Sequence, residues 1–417
     1  MCTLESFLLN FAWVFGLFPA QGILNGKYTF AWITLRVTTS LTLVLMCTLV
    51  LISNTVFFLF PSTSAGIEYW DKKAPTVYSR VVYFINQVLA SSGPGILQRI
   101  CCIILCKATI NLFKELRTLQ TQLRPKKIFK TRIYIWSSFI AILGFSASET
   151  TSVIKWSIFD VKKDQIPYFN ALFFPKDEIY LTCSIIADVL HTATFAYTFM
   201  LIIVFGSVAS ELQVGFFDHV QRLVGSQEKN LKPELDRACT KAVVITFTNL
   251  KEIMDGYGYI AGTYVKIIVA KIIINFISAA VSVTLDLDEA SSVVAKVLAY
   301  SAMLVILAKF GEMLQDNIRL SKKRLEDAVM LQSSGYDCEQ RHFFNWILSW
   351  EWRLTATNLF DIDNKLIPTV IGTVITYLIV ALQFQINGIN STSPGRLNET
   401  ANDGTSPGGF IPTLLQI

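Results

Sequence analysis

The sequence predicts an all-α polytopic membrane protein: seven transmembrane helices, the N-terminus cytoplasmic and the C-terminus extracellular. Three observations predict it. The first is composition. Of 417 residues, 52% are hydrophobic and 16% charged, and the mean hydropathy is +0.47; an average soluble domain carries roughly 25% charged residues. The second is where charge is missing. No Asp, Glu, Lys or Arg occurs in the 31 residues between Arg36 and Glu68 or in the 30 between Lys365 and Arg396. The 32 residues between Glu178 and Glu211 hold only Asp188. A helix needs about 20 apolar residues to cross the hydrocarbon of a bilayer. The third is an uneven division of basic residues between alternate loops. Soluble enzymes are thereby excluded, and a net charge of +5 is too small for a nucleic-acid footprint, so no nucleic-acid partner is expected.

The first 20 residues are apolar and end in Pro19-Ala20, but they lack a basic leader and contain Glu5. Leu4, Phe7, Leu8, Phe11, Val14, Phe15 and Phe18 recur at helical spacing. Residues 1–29 therefore read as a cytoplasmic segment with an amphipathic helix on the membrane surface, in preference to a cleaved signal. The spans fall at 31–60, 77–105, 133–156, 179–209, 261–285, 291–311 and 367–387. Gly93-Pro94-Gly95 predicts a kink inside the second. Lys266, Lys271, Lys296 and Lys309 interrupt the fifth and sixth and are read as snorkelling toward the interface. Spans one to six form a bundle over 30–311, with a cytosolic helical extension at 211–257. Cytosolic anchor helices follow at 312–366, then the seventh helix at 367–387 and an extracellular tail at 388–417. Leu212, Phe216, Phe217, Val220 and Leu223 give the extension an apolar stripe, suited to a compact cytosolic bundle and to oligomer contacts. No internal repeat is present, which counts against a transporter of duplicated halves.

Orientation follows by two routes. Residues 107–132 hold eight Lys/Arg against one acid, Glu115, and basic loops stay cytoplasmic. Over the whole chain the inner segments carry 23 Lys/Arg and the outer ones 6, with 10 Asp/Glu outside. The only two N-x-[ST] sequons begin at Asn390 and Asn398, both in the stretch that this orientation places outside, where glycosylation occurs. The arrangement is the reverse of a G-protein-coupled receptor. The eight cysteines show no zinc-like pairing and read as small hydrophobes. His191, His219 and His342 are too scattered for an intramembrane metal. No HExxH, GxSxG or phosphate-loop pattern occurs; no enzyme activity, cofactor or metal is expected.

Ionisable and polar groups inside spans are candidates for function. The outer halves of the helices offer Tyr83 and Gln87 in span two and Glu149, Ser152 and Trp156 in span three. Asp188 and His191 follow in span four, Asn275, Ser278 and Ser282 in span five, and Lys296 and Tyr300 in span six. Aromatic walls with a few convergent polar groups suit a small-molecule pocket. The structural alternative pairs Glu149 with Lys296 and Asp188 with His191 to neutralise buried charge. With two acids in the set, an amine or polyol ligand fits.

In the last span, Pro368 and Gly372 predict a break between a cytosolic half and a membrane half. Thr376, Ile379/Val380, Gln383 and Asn387 share a face. Repeated around a symmetry axis, such a stripe can line a narrow wet pathway that Val380 and Phe384 close by dewetting. Equally, these residues can join helices by hydrogen bonds. No acidic ring is present for divalent selectivity.

The same helix reads Thr376-Tyr377-Leu378-Ile379-Val380-Ala381-Leu382-Gln383-Phe384. This matches TYhhhhhQF, h being hydrophobic, and so resembles the signature of insect gustatory receptors. The run Leu354 to Leu366 (LTATNLFDIDNKL) resembles that family's approach to its final helix, and Phe15-Gly16-Leu17-Phe18-Pro19 resembles its opening. The resemblance implies a homotetrameric, ligand-gated, non-selective cation channel in the plasma membrane of chemosensory neurons, responding to small-molecule tastants. It implies that the seventh span lines the pore, moving Gln383 and Phe384 toward that role. It also implies a pocket in the outer halves of the earlier helices and a cytosolic anchor holding the tetramer. The sugar-receptor branch resembles TYE where this chain has Leu378, so a sugar is disfavoured. Two other readings stand beside it: a proton-coupled secondary transporter carrying protons on Glu149, Asp188 and His191, and an odorant-receptor-like subunit of a heteromeric channel. The partners expected are a tastant, permeating cations, lipid, and either copies of itself or related receptors.

Overall fold

A computed structural model describes residues 2–18, 20–21, 29–30, 35–59, 92–125, 128–155, 177–226, 233–284, 290–331 and 338–391. Among them are nine helices: α1 (Cys2–Val14), α2 (Leu35–Leu59), α3 (Ser92–Leu123), α4 (Phe129–Lys155), α5 (Asp177–Ser226), α6 (Pro233–Thr284), α7 (Ala290–Leu331), α8 (Cys338–Ser349) and α9 (Leu366–Ser391). A two-residue antiparallel pairing joins β1 (Ala20–Gln21) to β2 (Thr29–Phe30).

The long helices are too long for a bilayer alone. At 1.5 Å per residue, the 50 residues of α5 and 52 of α6 extend about 75–78 Å, against roughly 30 Å of hydrocarbon. Four described stretches are long and apolar enough to cross a membrane: Gly93–Leu123, Thr182–Val224, Thr240–Ala280 and Val294–Met330. Thr38–Ile52 and Leu366–Val380 are shorter apolar helices. α4, over the expected third span, is not among the four; Ser137, Ser138, Ser146, Ser148 and Glu149 lower its apolar content.

α5 is the central pillar, packed against α1, α2, α3, α4, α6 and α7. Its sequence is apolar on all sides, as befits a helix with protein around it, and Phe195, Phe199, Phe205, Leu212 and Phe216 are fully buried along it. Hydroxyls inside it are satisfied by their own helix: Thr194 donates to the Leu190 carbonyl at 2.6 Å and Ser207 to that of Ile203 at 2.6 Å.

The structure changes four expectations. α1 does not merely lie on a surface. Leu8, Leu9 and Ala12 are buried in the main core, and the Phe11 ring stacks 6.4 Å from Tyr197 of α5. Its C-terminus is closed by a bond from the Leu17 N–H to the Ala12 carbonyl at 2.8 Å, the six-to-one link of a Schellman motif. Second, Pro94 is the third residue of α3, where a missing N–H costs no helical bond; the expected kink has no place there. Third, Pro368 sits likewise in the first turn of α9, which runs unbroken past Gly372 to Ser391. Fourth, the predicted anchor helices over 312–366 end before the seventh helix. Residues 350–365 form a docked hairpin, with Ala356 N–H bonded to the Phe360 carbonyl and Ile362 N–H to that of Leu354, both at 2.9 Å. Its tip requires positive φ at Thr357 (50°) and Asn358 (62°), values no helix contains.

That hairpin is seated on α6 and α7. Leu354, Ala356 and Ile362 are fully buried, and the Trp352 indole N–H donates to the Met254 carbonyl at 3.2 Å. The Thr355 carbonyl lies where a Cβ on Gly262 would be, and the Ile362 carbonyl where one on Gly311 would be. Glycine at both sites is what lets a backbone strand approach two helices this closely.

Candidate functional site

Five helices each contribute two residues four apart, hence on one face: Gly95 and Arg99 (α3), Phe145 and Glu149 (α4), His191 and Phe195 (α5), Lys271 and Asn275 (α6), Lys296 and Tyr300 (α7). Phe145, Phe195 and Tyr300 form an aromatic triad. The ring centroids are 4.9 Å apart for Phe145–Phe195, 5.3 Å for Phe145–Tyr300 and 6.1 Å for Phe195–Tyr300. The Lys271 ammonium sits over the Phe195 ring, 4.5 Å from its centroid, and 5.5 Å from that of Phe145. This cation–π box holds a lysine that is only 4% exposed.

Of the expected pairs, one forms. Glu149 Oε2 lies 3.4 Å from Lys296 Nζ, both side chains half-buried. Asp188 and His191 do not pair: neither ring nitrogen of His191, itself 4% exposed, has a hydrogen-bond partner. The reason is steric. His191 is pressed against Gly95 so closely that a Cβ there would lie 2.6 Å from the imidazole Cγ, and the ring is held against α3. The Tyr300 hydroxyl, 1% exposed, also lacks a partner. Asn275 donates to the Lys271 carbonyl at 2.8 Å, spending its amide N–H on its own helix; Ser278 is half-buried one turn on.

Two bases were overlooked or misread in the sequence. Lys271 does not snorkel; its ammonium turns inward onto aromatic rings. Arg99 is fully buried, donating to the Phe15 carbonyl at the C-terminus of α1 and the Leu190 carbonyl of α5, both at 3.2 Å. Carbonyls at a helix C-terminus carry partial negative charge, so the guanidinium ties α1 to the central pillar. A charge well inside an apolar run was the available signal for both residues, and the same rule that singled out Glu149 applied to them.

Tyr83, Gln87, Trp156 and Asn398 lie outside the described residues, as do the side chains of Ser152, Ser282, Phe384, Asn387 and Asn390. On α9, Thr376, Val380 and Gln383 are exposed, far in the chain from the aromatic triad, and the Thr376 hydroxyl donates to the Gly372 carbonyl at 2.9 Å. Among the described residues no group of His, Cys, Asp and Glu could hold a metal. Cys47, Cys102 and Cys106 are free and buried, and the Tyr264 hydroxyl contacts Cys102 Sγ at 3.5 Å.

A family model described as 7tm chemosensory receptor matches residues 5–388. Among solved structures, the insect olfactory receptor OR5 from Machilis hrabei is similar, with a TM-score of 0.64 and 9% identity, covering 92% of this chain and 97% of that one. The same receptor in complex with eugenol gives a TM-score of 0.63 and 10% identity, covering 92% and 98%. At such identity the likeness carries the fold. No curated protein matches.

Proposed function

The chain belongs to the 7tm chemosensory receptor family, a multi-pass membrane receptor and not an enzyme, and from that premise we propose that it is a gustatory-type, ligand-gated, non-selective cation channel. Four copies assemble around α9, with the N-terminus cytoplasmic and the tail outside. A small-molecule tastant binds in the cluster around Glu149, Lys271 and Tyr300, and the channel depolarises a chemosensory neuron from its plasma membrane. The solved relative holds eugenol, and a small organic molecule is the ligand class proposed here.

The observation that carries the channel reading is the state of α9. Leu366 and Val370 bury its first turns against α6 and α7. Beyond them Ile371, Ile375, Tyr377, Ile379 and Val380 are all exposed, with Thr376 and Gln383 among them. A helix apolar on its outer faces, with a polar stripe and few neighbours in its own chain, fits a position shared with other copies at an axis. Asp188 and His191, two of the proton carriers a secondary transporter would use, are not hydrogen-bonded to each other, which favours the channel reading over transport.

Whole-cell recording of the expressed receptor tests this with a panel of sugars, amines, amino acids, carboxylic acids and bitter alkaloids. A ligand-evoked cation current is expected, with Gln383→Ala changing conductance or basal leak at constant surface amount. Surface expression with pH-dependent uptake and no current overturns the channel reading in favour of transport.

A further inference from the structure

The outward faces of α3, α4 and α7 differ in one respect. On α3 the exposed residues run Ile100, Ile104 and then Lys107, Asn111. On α7 they run Leu298, Val305 and then Lys309, Asp316. Steps of three, four or seven keep each run on one face, and the change from apolar to charged marks where hydrocarbon gives way to headgroups. On α4 the exposed face is apolar from its first residue: Phe129, Ile133, Trp136 and Ile140 are 48–76% exposed. The change on α7 is level with Tyr134 of α4, whose hydroxyl donates to the Lys309 carbonyl at 3.3 Å and whose ring lies 5.6 Å from that of Phe310. Arg132, Lys130 and Phe129 stand two, four and five residues past that level, about 3, 6 and 7.5 Å. Headgroups occupy roughly 5–8 Å on each side of the hydrocarbon.

We infer that the start of α4 binds an anionic phospholipid of the inner leaflet, Lys130 and Arg132 holding its headgroup while Phe129 and Trp136 lie against its chains. The inference goes beyond the channel reading and takes from it only the orientation that names the leaflet.

Charge complementarity carries the choice of partner. Arg124, Lys130 and Arg132 are exposed and form no ion pair among the described residues. The acids around them are engaged elsewhere. Glu211 is buried and accepts from the Ile128 N–H at 3.2 Å and the Thr131 hydroxyl at 2.9 Å. On α7, Glu312 pairs with Lys309 at 3.3 Å and Asp316 with Arg319 at 3.9 Å. Glu115 is exposed on α3, about two turns before that helix ends. The same contacts fix the bases in place. Arg124 closes α3 at a positive φ of 43°, Pro125 packs so tightly on α5 that a Cβ on Gly215 would lie 2.8 Å from it, and Glu211 holds the first turn of α4. A free phosphate would satisfy the bases but make no use of exposed aromatic rings, which belong at a lipid interface. A zwitterionic lipid would bring a further cation to bases that already lack acids.

Native mass spectrometry of the full-length receptor in detergent, titrated with phosphatidylserine and phosphatidylcholine of identical chains, reads bound lipid directly. Each base near an anionic surface contributes about fivefold, so the serine lipid should be retained at concentrations about 25-fold lower. Lys130→Gln should cut that preference about fivefold, and Lys130→Gln/Arg132→Gln should abolish it. Lys323→Gln/Arg324→Gln removes the same charge from an exposed stretch near the end of α7 and should leave the preference intact. Phe129→Ser should weaken both lipids alike. Glycerophosphoserine, the headgroup without chains, should not displace the lipid. Equal retention of the two lipids by the unaltered protein overturns the inference whatever the variants do. So does an undiminished preference in the α4 double variant, or an equal loss in the α7 one. Displacement by equimolar glycerophosphoserine would assign the bases to a soluble anion and overturn the lipid. No current enters the measurement, so failure of the channel reading leaves its outcome unchanged.

Discussion

Replacing Gly262 or Gly311 by alanine tests how the hairpin before α9 is held. A methyl on Gly262 would stand 2.9 Å from the Thr357 nitrogen and closer still to the Thr355 carbonyl oxygen. One on Gly311 would stand 2.9 Å from the Ile362 carbonyl carbon. These neighbours are backbone, fixed by the hairpin's own hydrogen bonds, so no rotamer change relieves the clash. Overpacking of this kind costs about 1–3 kcal/mol, which shifts a docked–undocked equilibrium roughly 5- to 150-fold. Because both glycines touch one hairpin, the double variant should fall short of the sum. Hydrogen exchange in peptides covering 352–365 reads the shift directly, since exchange through local opening scales with the open population. Each single variant should speed it by that factor, and ligand-evoked current should fall because α9 no longer follows α6 and α7. Wild-type exchange in both variants would refute the claim that glycine contacts hold the hairpin. Faster exchange with unchanged current would refute only its link to the gate.

Three further outcomes follow from individual contacts. Arg99→Met removes two charge-assisted hydrogen bonds, each worth about 1.5–3 kcal/mol, but also relieves a desolvated guanidinium. Its melting temperature should therefore move little while exchange in residues 2–18 rises, and an α1 as protected as before would rule out the tether. Glu149→Lys or Lys296→Glu alone should lower surface amount by stranding two like charges at the 3.4 Å contact, and the double exchange should restore it; failure of the double to recover would mean the pair is incidental. Asn390 lies within α9, one residue from its end, whereas acceptor sequons belong in surface loops. Asn390→Gln should thus leave a glycosidase-sensitive mass shift intact and Asn398→Gln should remove it; no shift in the unaltered protein would contradict an outer tail.

The helices were legible wherever a span is bounded by ordinary end signals. Charge gaps marked the apolar parts of α2, α5 and α9, and the stripe from Leu212 to Leu223 marked the continuation of α5 to Ser226. Proline was misread twice, for one reason. Pro94 and Pro368 read as breaks inside helices because the composition on both sides is apolar, yet each falls in the first turn of a helix. Residues 350–365 were illegible in a different way. Their hydrophobic residues pack on partners about 50–100 positions away, Trp352 on Met254 and Ile362 beside Gly311, and only Gly at those distant sites betrays the contact.

For the site, the polar residues were visible but their directions were not. Spacing places Glu149, Asp188, His191 and Tyr300 on helix faces, yet a face does not say which neighbour it meets. Lys271 shows the consequence. By position it is a long basic side chain some ten residues, about 15 Å, from the expected end of its span, within reach of neither interface. Snorkelling was therefore the weaker reading even before the structure, because a lysine stem spans only four methylenes. An inward charge then had to find compensation, and two aromatic rings on α4 and α5 supply part of it. Glu149 and Asp188 are the acids within its electrostatic reach, which is why the charge balance of the site follows from one side chain's orientation as much as from the count of acids along the helices.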